Sequence, residues 1–575
     1  MNNEFGYTGS EYSNGRELHE PHDPLNHIAP EINEGRDEYW CDPVEYTESL
    51  QKETPSASTA PQKQHSKDLH KKVVRKMVYA VASAVTVVSL AQVATPSEDQ
   101  SLITNFENAL DQLVSTTATP APQEPLLAAQ TIVFSGSGIL TKEAVENELE
   151  KYDLSENFAV IIEDGYTEIA AEAFSNRSTL VNVSIPDSVT VIGDRVFSEC
   201  KNLVIDTLDT SGRTIGTFAF RDVTIKDVII SDTFNCVQNT MYPSLALANI
   251  QNISFEQGIT FIPAYALSRC STVTSVDIPD TVTTIGTEAF NECTALTDIT
   301  IPDNVTSIES NAFRGCSNLI IDSLSTSGRT IGTFAFRDVT IKDVIISDTF
   351  NCAQSHMYPS LALANIQNIS FEQGITFIPA YALSRCSTIT SVDIPDTVTS
   401  IGTDAFYECT ALMEITLPDN VTTIESNAFR GCSNLILDVL NTSGRTIGTF
   451  AFQDVTIKDV IISDTFNCVQ SHTYPSLTYA NIQNISFEQG ITFIPAYALS
   501  RCSTITSVDI PDTVTSIGAD AFYECTALTD VTIPNSVTTI EEESFTECPN
   551  LTLRVSVGSA AEAYALEKNI PYVTN

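Results

Sequence analysis

The sequence predicts an α/β repeat solenoid: one stack of about 17 short turns closing a parallel β-sheet and capped at both ends. Three observations carry this expectation. The stretch Thr274 to Leu296, TSVDIPDTVTTIGTEAFNECTAL, is followed at once by TDITIPDNVTSIESNAFRGCSNL, with its apolar residues in the same places. From Cys200 onward the cysteines fall at intervals of 36, 34, 23 and 23 residues, and the series then repeats. The segment SGRTIGTFAF begins at Ser211, Ser327 and Ser443, 116 residues apart each time, so whole five-turn blocks are near copies of one another.

The spacing within one turn explains why it must stack. Val276 and Ile278 alternate as a short strand does, and Pro279 ends it. Val282 and Ile285 turn the chain, and Ala289, Phe290, Cys293 and Leu296 bring it back. Such a unit has one apolar flank and no core of its own, so it buries that flank only against its neighbours. The aromatic place recurs at Phe174, Phe197, Phe220, Phe290, Phe313, Phe336, Phe406, Phe429, Phe452, Phe522 and Phe545, with Leu267, Leu383 and Leu499 standing in for it. Phe220 and Leu267 are 47 residues apart, which leaves room for a hidden turn. Tyr242 is expected to fill its aromatic place, with Tyr358 and Tyr474 doing so in the other blocks. At about 4.8 Å per turn the stack is on the order of 80 Å long.

The segments before and after the stack read differently. Residues 1–72 are polar and acidic, without helical or strand period, and read as a disordered cytoplasmic tail holding the only Trp, Trp40. The tail ends in a basic cluster, Lys63, Lys67, Lys71 and Lys72, continued by Arg75 and Lys76. Residues 73–97 read as a transmembrane helix, since Met77 to Ser97 is uncharged and long enough to span a bilayer. The cluster ahead of it puts the N-terminus inside and the repeats outside, at the cell membrane. A signal peptide cleaved near Ala82-Ser83-Ala84, releasing a secreted protein, is the alternative. Residues 98–130 form a stalk and linker rich in Thr, Ala and Pro. Residues 131–158 supply an N-terminal cap with Thr141 as N-cap of a helix, 159–553 the repeats, and 554–575 a C-terminal cap.

Composition narrows the function. The net charge is −44, with 73 acidic against 29 basic residues, which argues against nucleic acid and against broad attraction to anionic membranes. Of seven His, five precede residue 71, and His356 and His472 hold equivalent places in two blocks, so no His-based metal cluster is visible. The 14 Cys lack any C-x-x-C pair; Cys41 lies near the N-terminus, and the 13 from Cys200 to Cys548 follow the repeat and read as reduced, buried, small hydrophobes.

At this point the pattern I-P-x-x-V-T-x-I-x-x-x-A-F-x-x-C-x-x-L resembles the BspA-like leucine-rich repeat of bacterial, and some protist, surface proteins. The opening IIEDGYTEIAAEAF and the closing GSAAEAYALEKNIPYV are similar to that family's first repeat and terminal cap. The resemblance implies a right-handed leucine-rich-repeat stack, with adhesion or ligand binding at a cell surface as its common role.

No nucleophile elbow, H-E-x-x-H, phosphate loop or zinc spacing occurs, so no enzyme activity, catalytic residue or cofactor is expected. The one repeated constellation is acidic. If Val276 and Ile278 face inward, Asp277 faces outward, as do Asp393 and Asp509 in the other blocks. Beside them come Asp298, Glu414 and Asp530, and earlier in each block Asp227, Asp343 and Asp459. Stacking is expected to gather these into an acidic stripe fit for a basic partner or weak calcium binding, or simply to keep a long sheet solvated. The expected partners are a protein or glycan ligand at the cell surface and, through one N-terminal helix, the membrane. The expected function is adhesion or ligand recognition, with a structural spacer that signals through the tail as the alternative. The irregular turns around Tyr242, Tyr358 and Tyr474 are the expected seat of a specific surface.

Overall fold

The computed structural model of the chain describes residues 127–574, except 240, 356, 472 and 473. The expected tail, basic cluster, membrane helix and most of the linker lie outside the described residues, as do His356 and His472. Among the described residues no helix is long and apolar enough to cross a membrane.

Each turn has three sides. The first carries a strand of three to seven residues, such as Ser275–Asp277, and the second a shorter strand of two to four, such as Thr284–Ile285. Each side pairs in parallel with its own kind. Val276 lies opposite Ile299, and Ile285 opposite Ile308. The expected parallel sheet is therefore two ladders of short strands, each interrupted into sheets of two to five strands. Alternation places Val276 in the core and leaves Ser275 and Asp277 exposed.

The third side, A-F-x-x-C, forms neither helix nor strand, yet its peptide groups are fully employed. Alternate amides bond to the next turn: Glu288 N–H to Ser310 O at 3.0 Å, Phe290 N–H to Ala312 O at 2.8 Å and Glu292 N–H to Arg314 O at 2.7 Å. Those between them bond within the turn, Ala289 to Gly286 O and Cys293 to Phe290 O. This alternation needs two left-handed residues per turn, here Glu288 and Glu292, both at φ 55°. Such backbone costs a non-glycine residue about 1–2 kcal/mol, and the stack sustains it because the alternative leaves buried amides without partners.

Phenylalanines line the core as a stacked column: Phe290 on Phe313 at 5.1 Å and Phe313 on Phe336 at 5.5 Å. The hidden turn corrects one expectation. Leu245, Leu361 and Leu477 occupy its aromatic place, each 1% exposed, whereas Tyr242, Tyr358 and Tyr474 stand outside the core. From Phe220 to Leu245 is 25 residues rather than 23. The extra length falls in the loop before Pro243 and carries Tyr242 ahead of the core register. These leucines belong to the 17 turns expected, and the N-terminal turn with strands Gln130–Phe134 and Gly138–Leu140 brings the stack to about 18.

A helix stands at each end of the described stack. Lys142–Leu149 is capped by Thr141 Oγ1, which accepts from Ala144 N–H at 3.1 Å, and it buries Val145 and Leu149. Ala560–Lys568 is capped by Ser559 and ends at Asn569, φ 57°. Its Tyr564 covers the last phenylalanine, Phe545, at 6.2 Å, and the Tyr564 hydroxyl accepts the Phe545 amide at 3.2 Å.

Candidate recognition surface

The nine carboxylates singled out in the sequence lie on the long-strand side, and strand register decides how they meet. Asp227 sits between Thr207 and Asn252, Asp343 between Ser323 and Asn368, and Asp459 between Val439 and Asn484. Asp298 lies opposite Ser275 and Asp277 opposite Thr300. Glu414 lies opposite Ser391 and Asp393 opposite Thr416, while Asp509 faces Thr532 and Asp530 is flanked by Ser507 and Thr552. Each carboxylate thus pairs with a Ser, Thr, Asn or Val rather than with another carboxylate, which spares the sheet direct like-charge pairs.

Several are engaged further. Asp227, Asp343 and Asp459 accept the hydroxyls of Ser254, Ser370 and Ser486 at 3.2, 3.0 and 2.8 Å. Arg554 clamps Asp530 with contacts of 2.7 to 2.9 Å, and this hydrogen bonding holds the Asp530 carboxyl below its ordinary range. Among the described residues, no three or more His, Cys, Asp or Glu are placed together to hold a metal ion.

The third side carries the other candidates. Tyr242, Tyr358 and Tyr474 are exposed and set edge-on against Phe218, Phe334 and Phe450 at 5.3, 5.5 and 5.2 Å. Those phenylalanines occupy the first left-handed place of their turns, at φ 50°, 50° and 54°. Two turns on, Tyr265, Tyr381 and Tyr497 fill the same place, at φ 61°, 61° and 62°. Each block therefore shows three aromatic turns in succession. The two turns after them put Glu288 and Asn311, Asp404 and Asn427, or Asp520 and Glu543 at that place.

Arginines complete each set, joined by aliphatic side chains in the first two blocks and by the exposed Tyr479 in the third. Arg221 lies over the Phe218 ring at 5.8 Å and Arg337 over Phe334 at 5.6 Å. In the third block Gln453 stands in that position, and Arg430 from the preceding turn covers Phe450 at 5.3 Å. Met241, Met357, Leu247 and Leu363 are exposed beside the tyrosines. Arg269 binds the Met241 carbonyl at 3.1 Å and Glu292 at 3.0 Å, and Arg385 repeats this with Met357 and Glu408. Burial and the neighbouring Asp404 carboxylate raise the Tyr381 hydroxyl, as burial and Asp520 raise that of Tyr497, so both remain protonated donors.

The sequence pointed to the tyrosines but not to Phe218, Met241, Leu247 or the arginines. The available signal was the residue two before the core aromatic, which the fold turns outward. At about 4.8 Å per turn the three aromatic sets recur every 24 Å or so.

The family model described as BspA type Leucine rich repeat region (6 copies) matches residues 152–248, 244–363, 360–478 and 475–559. No curated protein sequence matches the chain. Among solved structures, a leucine-rich repeat protein from Bacteroides ovatus ATCC 8483 is 20% identical, with a TM-score of 0.41, over 61% of this chain and 92% of that one. A leucine rich cell surface protein from Faecalibacterium prausnitzii A2-165 is 22% identical over 76% of this chain and 92% of that one, with a TM-score of 0.25. The pneumococcal vaccine antigen PcpA is 13% identical over 78% and 92%, with a TM-score of 0.25.

Proposed function

The chain belongs to the BspA-type leucine-rich repeat family, and we propose that it is a non-catalytic recognition protein that holds a protein or glycan ligand at a cell surface. The observation that carries this reading is a set of aromatic and Arg side chains present three times along one side of the stack, each with an exposed Tyr packed edge-on against a Phe and the first two adding an exposed Met. Tyr and Arg supply most of the strong contacts in protein interfaces, and Met is enriched there. Three copies on one rigid body engage a multivalent surface far more tightly than one copy does. In this reading residues 73–97 anchor the chain in the membrane, tail inside and repeats outside, and the nine carboxylates keep the long-strand side solvated and select basic partners.

The test is binding of the chain to cells, matrix proteins and a glycan array, compared with a Tyr242→Ser, Tyr358→Ser, Tyr474→Ser variant. The expected result is at least a tenfold loss in the variant. Equal binding, or none by either chain, overturns the reading. The near identity of the blocks favours a second reading, a spacer whose length matters more than its surface, and that reading expects the triple variant to behave as the parent.

A further inference from the structure

The blocks serve as internal controls for one another. The first two, residues 211–326 and 327–442, differ at 14 of 116 positions. Five of these differences fall in one place: Thr297, Asp298, Ile301, Ile321 and Ser323 of the first block become Met413, Glu414, Leu417, Leu437 and Val439 of the second. All five line a cleft of about 830 Å³ on the long-strand side. They are five of the ten lining residues that the second block supplies, against 14 differences in its 116 positions. In the third block Thr529 stands where the second has Met413.

The cleft lies where the long-strand ladder is interrupted. Glu414–Thr416 pairs with Ser391–Asp393, whereas Ile436–Asn441 belongs to the next sheet. The Ile436 amide reaches the Met413 carbonyl at 3.3 Å, and the interrupted stretch runs on from there along the strand direction. Met413, Ile436 and Val439 are 53%, 50% and 53% exposed. Exchanging Thr for Met and Ser for Val here leaves about half of each larger side chain in solvent and adds apolar surface to water. Glu414 and Asp438 stand at the rim, and Lys458 is drawn to Asp438 at 2.6 Å. The formal balance of these three charges is −1.

We propose that this cleft binds an extended segment of a partner polypeptide in which apolar and basic residues alternate. The segment lies along the interruption, as an added strand does. Its apolar side chains, all on one side at a period of two, cover Met413, Ile436 and Val439. Its lysines or arginines reach Glu414 and Asp438. The site is on the long-strand side and stands independently of the aromatic surface.

The experiment uses the full chain and a fluorescein-labelled peptide, GGKLKLKGG, read by anisotropy, with GGELELEGG as the charge control. Saturable binding of the basic peptide alone is expected. The variant Met413→Thr, Val439→Ser restores the side chains that the first block carries at Thr297 and Ser323, so the fold tolerates it, and it is expected to bind at least tenfold more weakly. The converse Thr297→Met, Ser323→Val variant is expected to take up a second equivalent of peptide. No saturable binding, binding unchanged by Met413→Thr, Val439→Ser, or equal binding of the acidic peptide overturns the proposal.

Discussion

Cys316 donates its thiol to the main-chain carbonyl of Phe290, in the preceding turn, at 3.0 Å. Cys200 makes the same bond to Phe174, and Cys432 to Phe406, also at 3.0 Å. The cysteine thus fills the apolar flank and adds a second hydrogen bond to a carbonyl that, at Phe290 and Phe406, already accepts the amide of its own turn's cysteine. All 13 described cysteines are free, and all but Cys548 are buried. The thiolate, not the thiol, is the reactive form. Ellman titration at pH 7.5 is therefore expected to leave the buried thiols of the native chain silent, with Cys548 the first of the stack to respond. Unfolding in urea is expected to release all 14 thiols of the sequence. Rapid reaction of the native stack, or a large gain on adding reductant, contradicts the arrangement.

Those same thiols make stability fall in alkali. Burial pushes Cys200 up to about 11 and Cys236, Cys352 and Cys468 up to about 12. A group whose pKa is raised in the fold gives stability that is complete below its unfolded value and lost as pH climbs toward the folded one. The unfolded chain releases these protons first, above about pH 8.5, so the folded state loses about 1.4 kcal/mol per thiol per pH unit in that window. The urea midpoint is expected to stay level from pH 7 to 8 and to drop steeply from pH 9 to 11. A level profile across pH 9–11 counts against the buried column.

Backbone conformation yields a test that ordinary helix or strand reasoning reverses. Glu199 adopts φ 63°, and its amide bonds to Arg221 O at 2.9 Å. Gly315 and Gly431 occupy the corresponding place in other turns, at φ 75° and 78°. Glu199→Gly relieves left-handed strain of about 1–2 kcal/mol and gives back most of it as chain entropy. Its unfolding midpoint is expected to equal or exceed the parent's. Glu199→Val adds a β-branch to the strain and is expected to lower stability by a further 1 kcal/mol or more. Denaturant titration of the two variants reads the difference directly, and a Gly variant weaker than the Val variant refutes it.

Much of this architecture is legible in the amino-acid sequence. Val276, Ile278, Phe290 and Cys293 recur at one period, and a period shared by so many turns admits only a stack. Tyr242 was misplaced because its turn runs to 25 residues, and Leu245, which fills the core there, is one of several apolar residues in PSLALA. The left-handed places that turn Phe218 and Tyr265 outward leave no mark in hydrophobic spacing, because their demand is on backbone angle. The interleaving of Asp298 with Ser275 follows from register between turns, which is a property of paired strands rather than of either strand alone. The Met413 cleft arises where the ladder breaks, and only the placement of both strands reveals that break.

Phe313 lies between Phe290 and Phe336 and is fully buried. Phe313→Ala removes two ring stacks and leaves a cavity that the flanking turns, held by ladder bonds, cannot close, at a cost of about 3–5 kcal/mol. In a stack whose turns touch only their neighbours, that loss stays local and weakens the coupling between the halves on either side. Hydrogen exchange is expected to speed up in the turns from 274 to 340 while the flanking blocks keep their protection. Uniform loss of protection along the whole chain argues for a single cooperative core instead.

Removing a whole block tests that one-dimensional logic at its largest scale. Thr326 precedes Ser327 and Thr442 precedes Ser443, so deleting residues 327–442 recreates the same Thr-Ser junction. Ile331 then stands replaced by Ile447, and the two-residue strand at Thr446–Ile447 meets Ser307–Ile308 in the register that Thr330–Ile331 holds now. No new contact type is created, so the thermal midpoint is expected to change little while the stack shortens by about 24 Å, five turns of about 4.8 Å. Small-angle scattering reads the length and calorimetry the midpoint. The shortened chain also loses Tyr358, Met413 and Val439 together: the peptide cleft is expected to vanish outright, while two of the three aromatic sets remain. A chain that unfolds well below the parent, or keeps its peptide site, shows that the blocks are not interchangeable in the way their register implies.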